Sequence, residues 1–147
     1  MMKIRTPLLL LGLFPLAINA SEVSDNLSDC QLAEQMILEI SPLINKSAPL
    51  LNETDHRVIA QWRVETFNPK VDAIAKKYAL SPRDAMNPDR QISLTIYNDF
   101  VLGSRLLVHY IQINARDKGN KEDVKLQWAT MKEAANVYAT ECENSRL

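Results

Sequence analysis

A pair of cysteines near the two ends of the chain restricts its fold more than any other feature. Cys30 and Cys142 are the two cysteines in the sequence. In an exported protein an even cysteine count indicates disulfide bonding, and two cysteines allow one intramolecular pairing. Two unpaired thiols, or a bridge between chains, are the alternatives. An internal bridge predicts that the ends of the folded chain meet.

The first twenty residues have the organisation of an export signal. Lys3 and Arg5 precede an apolar run over 8–18, and Ala20 is followed by polar residues. This order predicts a secretory signal peptide over 1–20, because the run is shorter than the roughly 20 residues that span a bilayer. Removing 20 of 147 residues leaves 127, a single helical domain over 21–147. We expect a periplasmic or secreted location.

The first and last parts of the mature chain carry the spacing of amphipathic helices. Ser28 and Gln31 match a capping box, in which serine caps a helix and glutamine reaches back to it. Apolar residues then alternate at spacings of three and four, which places them on one helix face. The first such face contains Cys30, Ala33, Ile37, Ile40 and Ile44, and the last contains Val124, Trp128, Met131, Ala135, Tyr138 and Cys142.

Two further helical segments lie between them, one beginning near Thr54 and one after Asn87. Asn68-Pro69 either caps a fresh helix or kinks the second one, and Gly119 is expected to end the third. Four helices with short connections predict an all-α, antiparallel, up-down-up-down four-helix bundle, with helix two kinked or split at Asn68-Pro69. In that topology Cys30 and Cys142 share one pole and face inward, so one disulfide closes the bundle.

Composition argues against several functional classes. Without Lys3 and Arg5 the mature chain has 15 basic against 18 acidic residues, a net charge of −3, which gives no electrostatic basis for binding nucleic acid. Gly103 and Gly119 are too few for a phosphate-binding loop. Ser104 lacks the Gly-x-Ser-x-Gly elbow, and both cysteines are expected to be oxidised. We therefore expect a protein that is not an enzyme.

Metal and haem sites also find little support in the sequence. His56 and His109 are expected near the same pole, but a structural zinc site needs four protein ligands. No Cys-x-x-Cys-His motif is present for covalent haem attachment. Met36 and Met131, which face the core, are better explained as core filling than as haem ligands. We expect no cofactor and no bound metal.

The third helix has a narrow polar stripe on an otherwise apolar surface. Its C-terminal half contributes Arg105, His109, Gln112 and Arg116, which are the candidate partner-binding residues. A stripe of this kind usually faces water. A membrane span is not expected here, because Arg105 would lie near its centre. The proline-rich loops at 42–53 and 80–90 are alternative binding surfaces.

The functional expectation is a small exported protein that binds another protein. One version is an inhibitor or immunity protein that neutralises an envelope-acting toxin. The alternative is a periplasmic bundle that holds a small ligand, haem or metal.

Trp62 and Trp128 fall on apolar faces and are expected in the core. The sequence leaves the oligomeric state open, as it does the use of the Asn-x-Ser/Thr sequons at Asn26, Asn45 and Asn52.

Overall fold

A computed structural model describes residues 26–119 and 121–143, and within them every regular element is helical. The predicted signal peptide over 1–20 lies outside the described residues. The all-α bundle is confirmed as four long helices and one short one. In chain order they are α1 (Asp29–Ser47), followed by a 3₁₀ turn (Ala48–Asn52), α2 (56–77), α3 (Pro82–Ala85), α4 (91–117) and α5 (121–143).

The start of α1 has the predicted capping box. The Ser28 hydroxyl accepts from the Gln31 backbone N–H at 3.3 Å, and the Gln31 side chain accepts from the Ser28 N–H at 3.0 Å. Together they satisfy two donors that a helix N-terminus otherwise leaves unpaired. Pro42 does not end this helix, which continues to Ser47. A 3₁₀ turn at Pro88–Arg90 directly precedes α4. The single helical turn α3 lies in the loop before this 3₁₀ turn.

Three of the long helices contain a wide π turn. In α2 the π turn spans Arg63–Phe67, and the Asn68 N–H bonds the carbonyl of Arg63, five residues earlier. Pro69 follows directly. Because proline has no backbone N–H, it would remove one hydrogen bond from a regular helix at this position. The irregularity at Asn68-Pro69 is thus a π turn within a continuous helix, and Asn68 does not cap a new one. The other π turns are Ile96–Leu102 in α4 and Ala139–Glu143 at the end of α5.

Helix α4 lies at the centre of the bundle, and α1, α2 and α5 all pack against it. Between α1 and α5 there is little direct contact among the described residues. The disulfide Cys30–Cys142, with an S–S distance of 2.00 Å, joins them at one pole and confirms the predicted closure. Such a bond is compatible with a location outside the reducing cytoplasm. The bundle is therefore closed by a covalent bond at one end and less tightly packed along that side.

The core contains the large apolar side chains that periodicity predicted. Met36 and Met131 are among them, with 0% and 2% exposure, so both fill the core as expected. The largest fully buried side chains are Leu32, Met36, Ile40, Ile59, Phe67, Val71, Ile96, Val101, Leu107, Val108, Met131 and Cys142. No helix within the described ranges is long and apolar enough to cross a membrane.

Two polar contacts fix α4 against its neighbours. The Asp29 carboxylate of α1 accepts the backbone N–H groups of Ile92 and Ser93, each at 2.9 Å, and also the Ser93 hydroxyl. It therefore caps the start of α4 from another helix. At Gly103, an added Cβ would lie 2.8 Å from the Gln127 amide nitrogen, which donates to the Gly103 carbonyl at 3.1 Å. The end of the Gln127 side chain from α5 therefore occupies the space that a Cβ at position 103 would need.

The end of α4 differs from the prediction in one respect. The helix stops at Asp117, near the predicted position, but the residue in the left-handed conformation is Lys118, with φ of 52°. Gly119 has no positive φ. The glycine therefore follows the helix stop instead of forming it, and Lys118 adopts a conformation that lysine rarely takes.

Candidate functional site

The predicted polar stripe of α4 is partly covered by α2. The Arg63 guanidinium donates to Gln112 Oε1 at 3.0 Å and lies 3.2 Å from His109 Nδ1. Both contacts are half-buried, so the expectation that the stripe faces water is wrong for this part of it. Because a guanidinium can only donate, a hydrogen bond in this contact requires Nδ1 to be the acceptor. Sequence reasoning missed Arg63, which lies 46 positions from His109.

The two outer arginines of the stripe already have acidic neighbours. Arg105 pairs with Asp72 of α2, and Arg116 forms two hydrogen bonds with Asp117 at 2.9 and 2.6 Å. The Arg116 guanidinium lowers the pKa of the Asp117 carboxyl, chiefly through these hydrogen bonds. Such exposed pairs contribute little free energy. The structure thus brings His109 and Gln112 together on Arg63 and places Arg105 and Arg116 in separate surface pairs.

The part of the chain that the structure describes contains no cluster of metal-binding side chains. No group of three or more His, Cys, Asp or Glu side chains is placed there to hold a metal ion. A zinc site needs four such ligands, or three with a bound water. The contact between His109 and Arg63 places the positive charge of the guanidinium beside the imidazole, which disfavours a cation at that ring.

A groove runs along the side where α1 and α5 make little contact. We call it the α1–α5 groove, and it consists of two neighbouring cavities of about 370 and 350 Å³ that share Trp128 as a lining residue. The second half of α1, the following 3₁₀ turn and the first half of α5 form its walls, and α4 forms its floor. The first cavity is lined by Ser47, Ala48, Leu51, Asn52, Leu107, Ile111, Asn114, Lys121, Val124, Lys125 and Trp128. The second is lined by Ser41, Ile44, Asn45, Phe100, Trp128, Met131 and Lys132.

The groove is apolar and open to solvent. Trp128 is 46% exposed and Leu51 is 49% exposed, although both are large apolar residues. The prediction that Trp128 belongs to the core is therefore wrong. Its position follows the apolar spacing of α5, but α1 makes little contact with α5 and leaves Trp128 uncovered. Trp62, by contrast, is half-buried and packs on the core beside Phe67, with ring centroids 5.2 Å apart.

Charge in the groove has one sign. Lys121, Lys125 and Lys132 lie among its lining residues, whereas no carboxylate of residues 26–119 or 121–143 does. Lys125 has one acidic contact, an exposed pair with Glu122 on the same helix. The floor also contains an unmatched polar atom, because the buried Asn114 Oδ1 has no hydrogen-bond partner within the described part of the chain. The lining therefore offers apolar surface framed by positive charge.

The sequence pointed to part of this groove. The segment 42–53, predicted as a loop and as one of the alternative binding surfaces, forms the end of α1 and the following 3₁₀ turn. It supplies Ile44 and Asn45 to the second cavity and the residues of that turn to the first. The other half escaped detection because Trp128 has the spacing of a core residue. An unbroken apolar face does not reveal whether another helix covers it.

The arrangement as a whole is suited to binding. Comparisons of the chain with protein-family models, with curated proteins and with solved structures found no match. The geometry of the described residues therefore carries the functional argument. An exposed tryptophan between two apolar depressions, with lysines around them, has the composition of a contact surface, since tryptophan is enriched among the residues that dominate binding energies.

Proposed function

We propose that this protein is exported, acts in the periplasm or outside the cell, and binds a protein partner in the α1–α5 groove. The observation that supports this proposal is the half-exposed Trp128 between two apolar cavities. A partly exposed tryptophan beside apolar cavities is typical of surfaces that bind other proteins. The specific form that we propose is an inhibitor or immunity protein that neutralises an envelope-acting toxin, by analogy of size, compartment and helical make-up.

An open groove favours a protein partner over a small ligand. Pockets for small molecules bury most of the ligand surface, typically about 70–90% of it. Here the 46% exposure of Trp128 and the 49% exposure of Leu51 leave the groove accessible along one side. A partner segment can fill such a groove and bring its own surface to cover the outer face. The alternative function, retention of a small ligand, haem or metal, would require a more enclosed site.

Site-specific photo-crosslinking in the exporting cell tests this proposal. A photoreactive residue at Leu51 should give a discrete protein adduct, which mass spectrometry then identifies. The matched control is Leu126, which is 69% exposed and lines neither cavity. A third position, Arg105, tests the predicted stripe. An adduct from Leu51 alone supports the groove. Adducts from Arg105 alone would move the site to the stripe, and adducts from none of the three positions would reject protein binding.

The inhibitor version has its own test. The captured partner should be a toxin or an envelope hydrolase, and the purified protein should reduce its activity. A partner without toxic or hydrolytic activity would contradict the inhibitor version and leave the binding function in place. Native mass spectrometry of the protein from the periplasm covers the alternative function. A stoichiometric small molecule, haem or metal would support that alternative instead.

A further inference from the structure

The two cavities of the α1–α5 groove have a spacing that indicates what occupies them. Val124 lines the first cavity and Met131 the second, and these residues lie seven positions apart on α5. Leu107 and Phe100 of the α4 floor differ by the same seven positions. Seven residues of helix correspond to about 10 Å. On α5 these two apolar lining residues are therefore about 10 Å apart. On α4 the first cavity extends further, because Ile111 and Asn114 also line it.

That separation matches the anchor spacing of a docked helix. A helix that lies along a groove presents side chains of one face at positions i, i+3, i+4 and i+7. Anchors at i and i+7 are about 10 Å apart, whereas anchors at i and i+4 are only about 6 Å apart. Trp128 lies between the two depressions, where it contacts both. A helix parallel or antiparallel to α5 would thus place one anchor on each side of this tryptophan.

The lysines around the groove favour an occupant with negative charge. Lys121 and Lys125 line the first cavity and Lys132 the second, and no carboxylate is among the described lining residues. Of these lysines, Lys125 already pairs with Glu122 of its own helix. Acidic residues that flank the anchors of a docked helix would lie near these ammonium groups. Electrostatic complementarity of this kind increases the association rate and the specificity of binding.

We propose that the α1–α5 groove binds an acidic amphipathic helix of the partner through two large apolar side chains spaced seven residues apart. This inference rests on the proposed function, because it specifies the partner segment that the groove accepts. The bound helix would complete the side of the bundle at which α1 and α5 make little contact. It would cover Trp128 and Leu51, the two half-exposed apolar side chains of the groove.

Designed peptides test this proposal with the mature, oxidised protein. The probe is a fluorescently labelled helix of about 18 residues, roughly 27 Å long, made of alanine and glutamate with leucines at two positions seven apart. Anisotropy titrations should show saturable binding that weakens as salt is added. Replacing either leucine with alanine should weaken binding by about tenfold or more. A peptide with every glutamate changed to lysine should bind at least about tenfold less tightly.

Variants of the protein identify where the peptide binds. Trp128→Ala should weaken binding of the acidic peptide by about tenfold or more. Leu126→Ala, which removes an exposed apolar residue outside the groove, should leave it unchanged. The double variant Lys121→Glu/Lys125→Glu should reduce affinity for the acidic peptide and increase it for the lysine peptide. Circular dichroism of each variant confirms that the fold is retained.

Several outcomes would overturn this inference. These are equal binding of the acidic and lysine peptides, no binding of either, or no effect of Trp128→Ala. Self-association of the protein that the acidic peptide does not reverse would assign the groove to a second copy of the chain. A failed peptide titration together with a specific crosslink from Leu51 would reject the acidic helix and keep the proposed function. Failure of both experiments would reject the proposed function as well.

Discussion

Breaking the disulfide should cost this protein much of its stability. Cys30 and Cys142 are separated by 112 positions, so the bond closes a loop that includes almost the whole described chain. The chain-entropy relation gives about 5 kcal/mol for a loop of this length. Residual compactness of the unfolded chain reduces this figure, and we expect a loss of about 3–5 kcal/mol on reduction. For a domain of this size, that loss lowers the melting temperature by roughly 10–20 °C.

Urea titrations of the oxidised and reduced protein measure this loss without any mutation. The midpoint should fall on reduction, and the slope should rise because the open unfolded chain exposes more surface. The control is Cys30→Ala/Cys142→Ala, on which reductant should have no effect. Since α1 and α5 make little other contact, amide exchange in Ala139–Glu143 should accelerate before exchange at the centre of α4. A loss below about 1 kcal/mol would refute the stabilising role of loop closure.

Three further perturbations probe individual contacts. Asp29→Ala should lower the free energy of unfolding by about 2–4 kcal/mol, because it removes the acceptor of three donors at the start of α4, measured by urea titration. Gly103→Ala should change stability by less than about 1 kcal/mol, since the gain in helix propensity offsets displacement of Gln127, measured by thermal melting. Burial raises the pKa of Tyr78 above its ordinary value of 10.0, so the neutral phenol favours folding and its contribution is lost as pH rises above about 10. Tyr78→Phe should therefore show a shallower loss of stability between about pH 10 and 12.

Local signals in the sequence were sufficient to predict the helices and the disulfide that closes the bundle. The capping box at Ser28 involves residues three positions apart, so the sequence displays both partners. The disulfide followed from an even cysteine count together with helix periodicity. The bundle was predictable from local sequence as well, because each amphipathic face indicates that a helix is buried on one side.

Contacts between distant parts of the chain could not be predicted in this way. Asp29 caps α4 across 63 positions, and Arg63 reaches His109 across 46. Neither pairing leaves a periodic signal, because each depends on how two helices are placed side by side. The same limit explains Trp128, whose spacing is that of a core residue. Its exposure depends on how far α1 and α5 lie apart, which is a property of packing.

The emission of Trp128 tests the central claim most directly. In a Trp62→Phe background Trp128 is the remaining tryptophan, since the chain has two. The purified partner identified by crosslinking from Leu51 is added to this variant. Because a bound segment should cover the 46% of Trp128 that is now exposed, we predict a blue shift and reduced quenching by acrylamide. Unchanged emission and quenching at saturating partner would contradict binding in the α1–α5 groove.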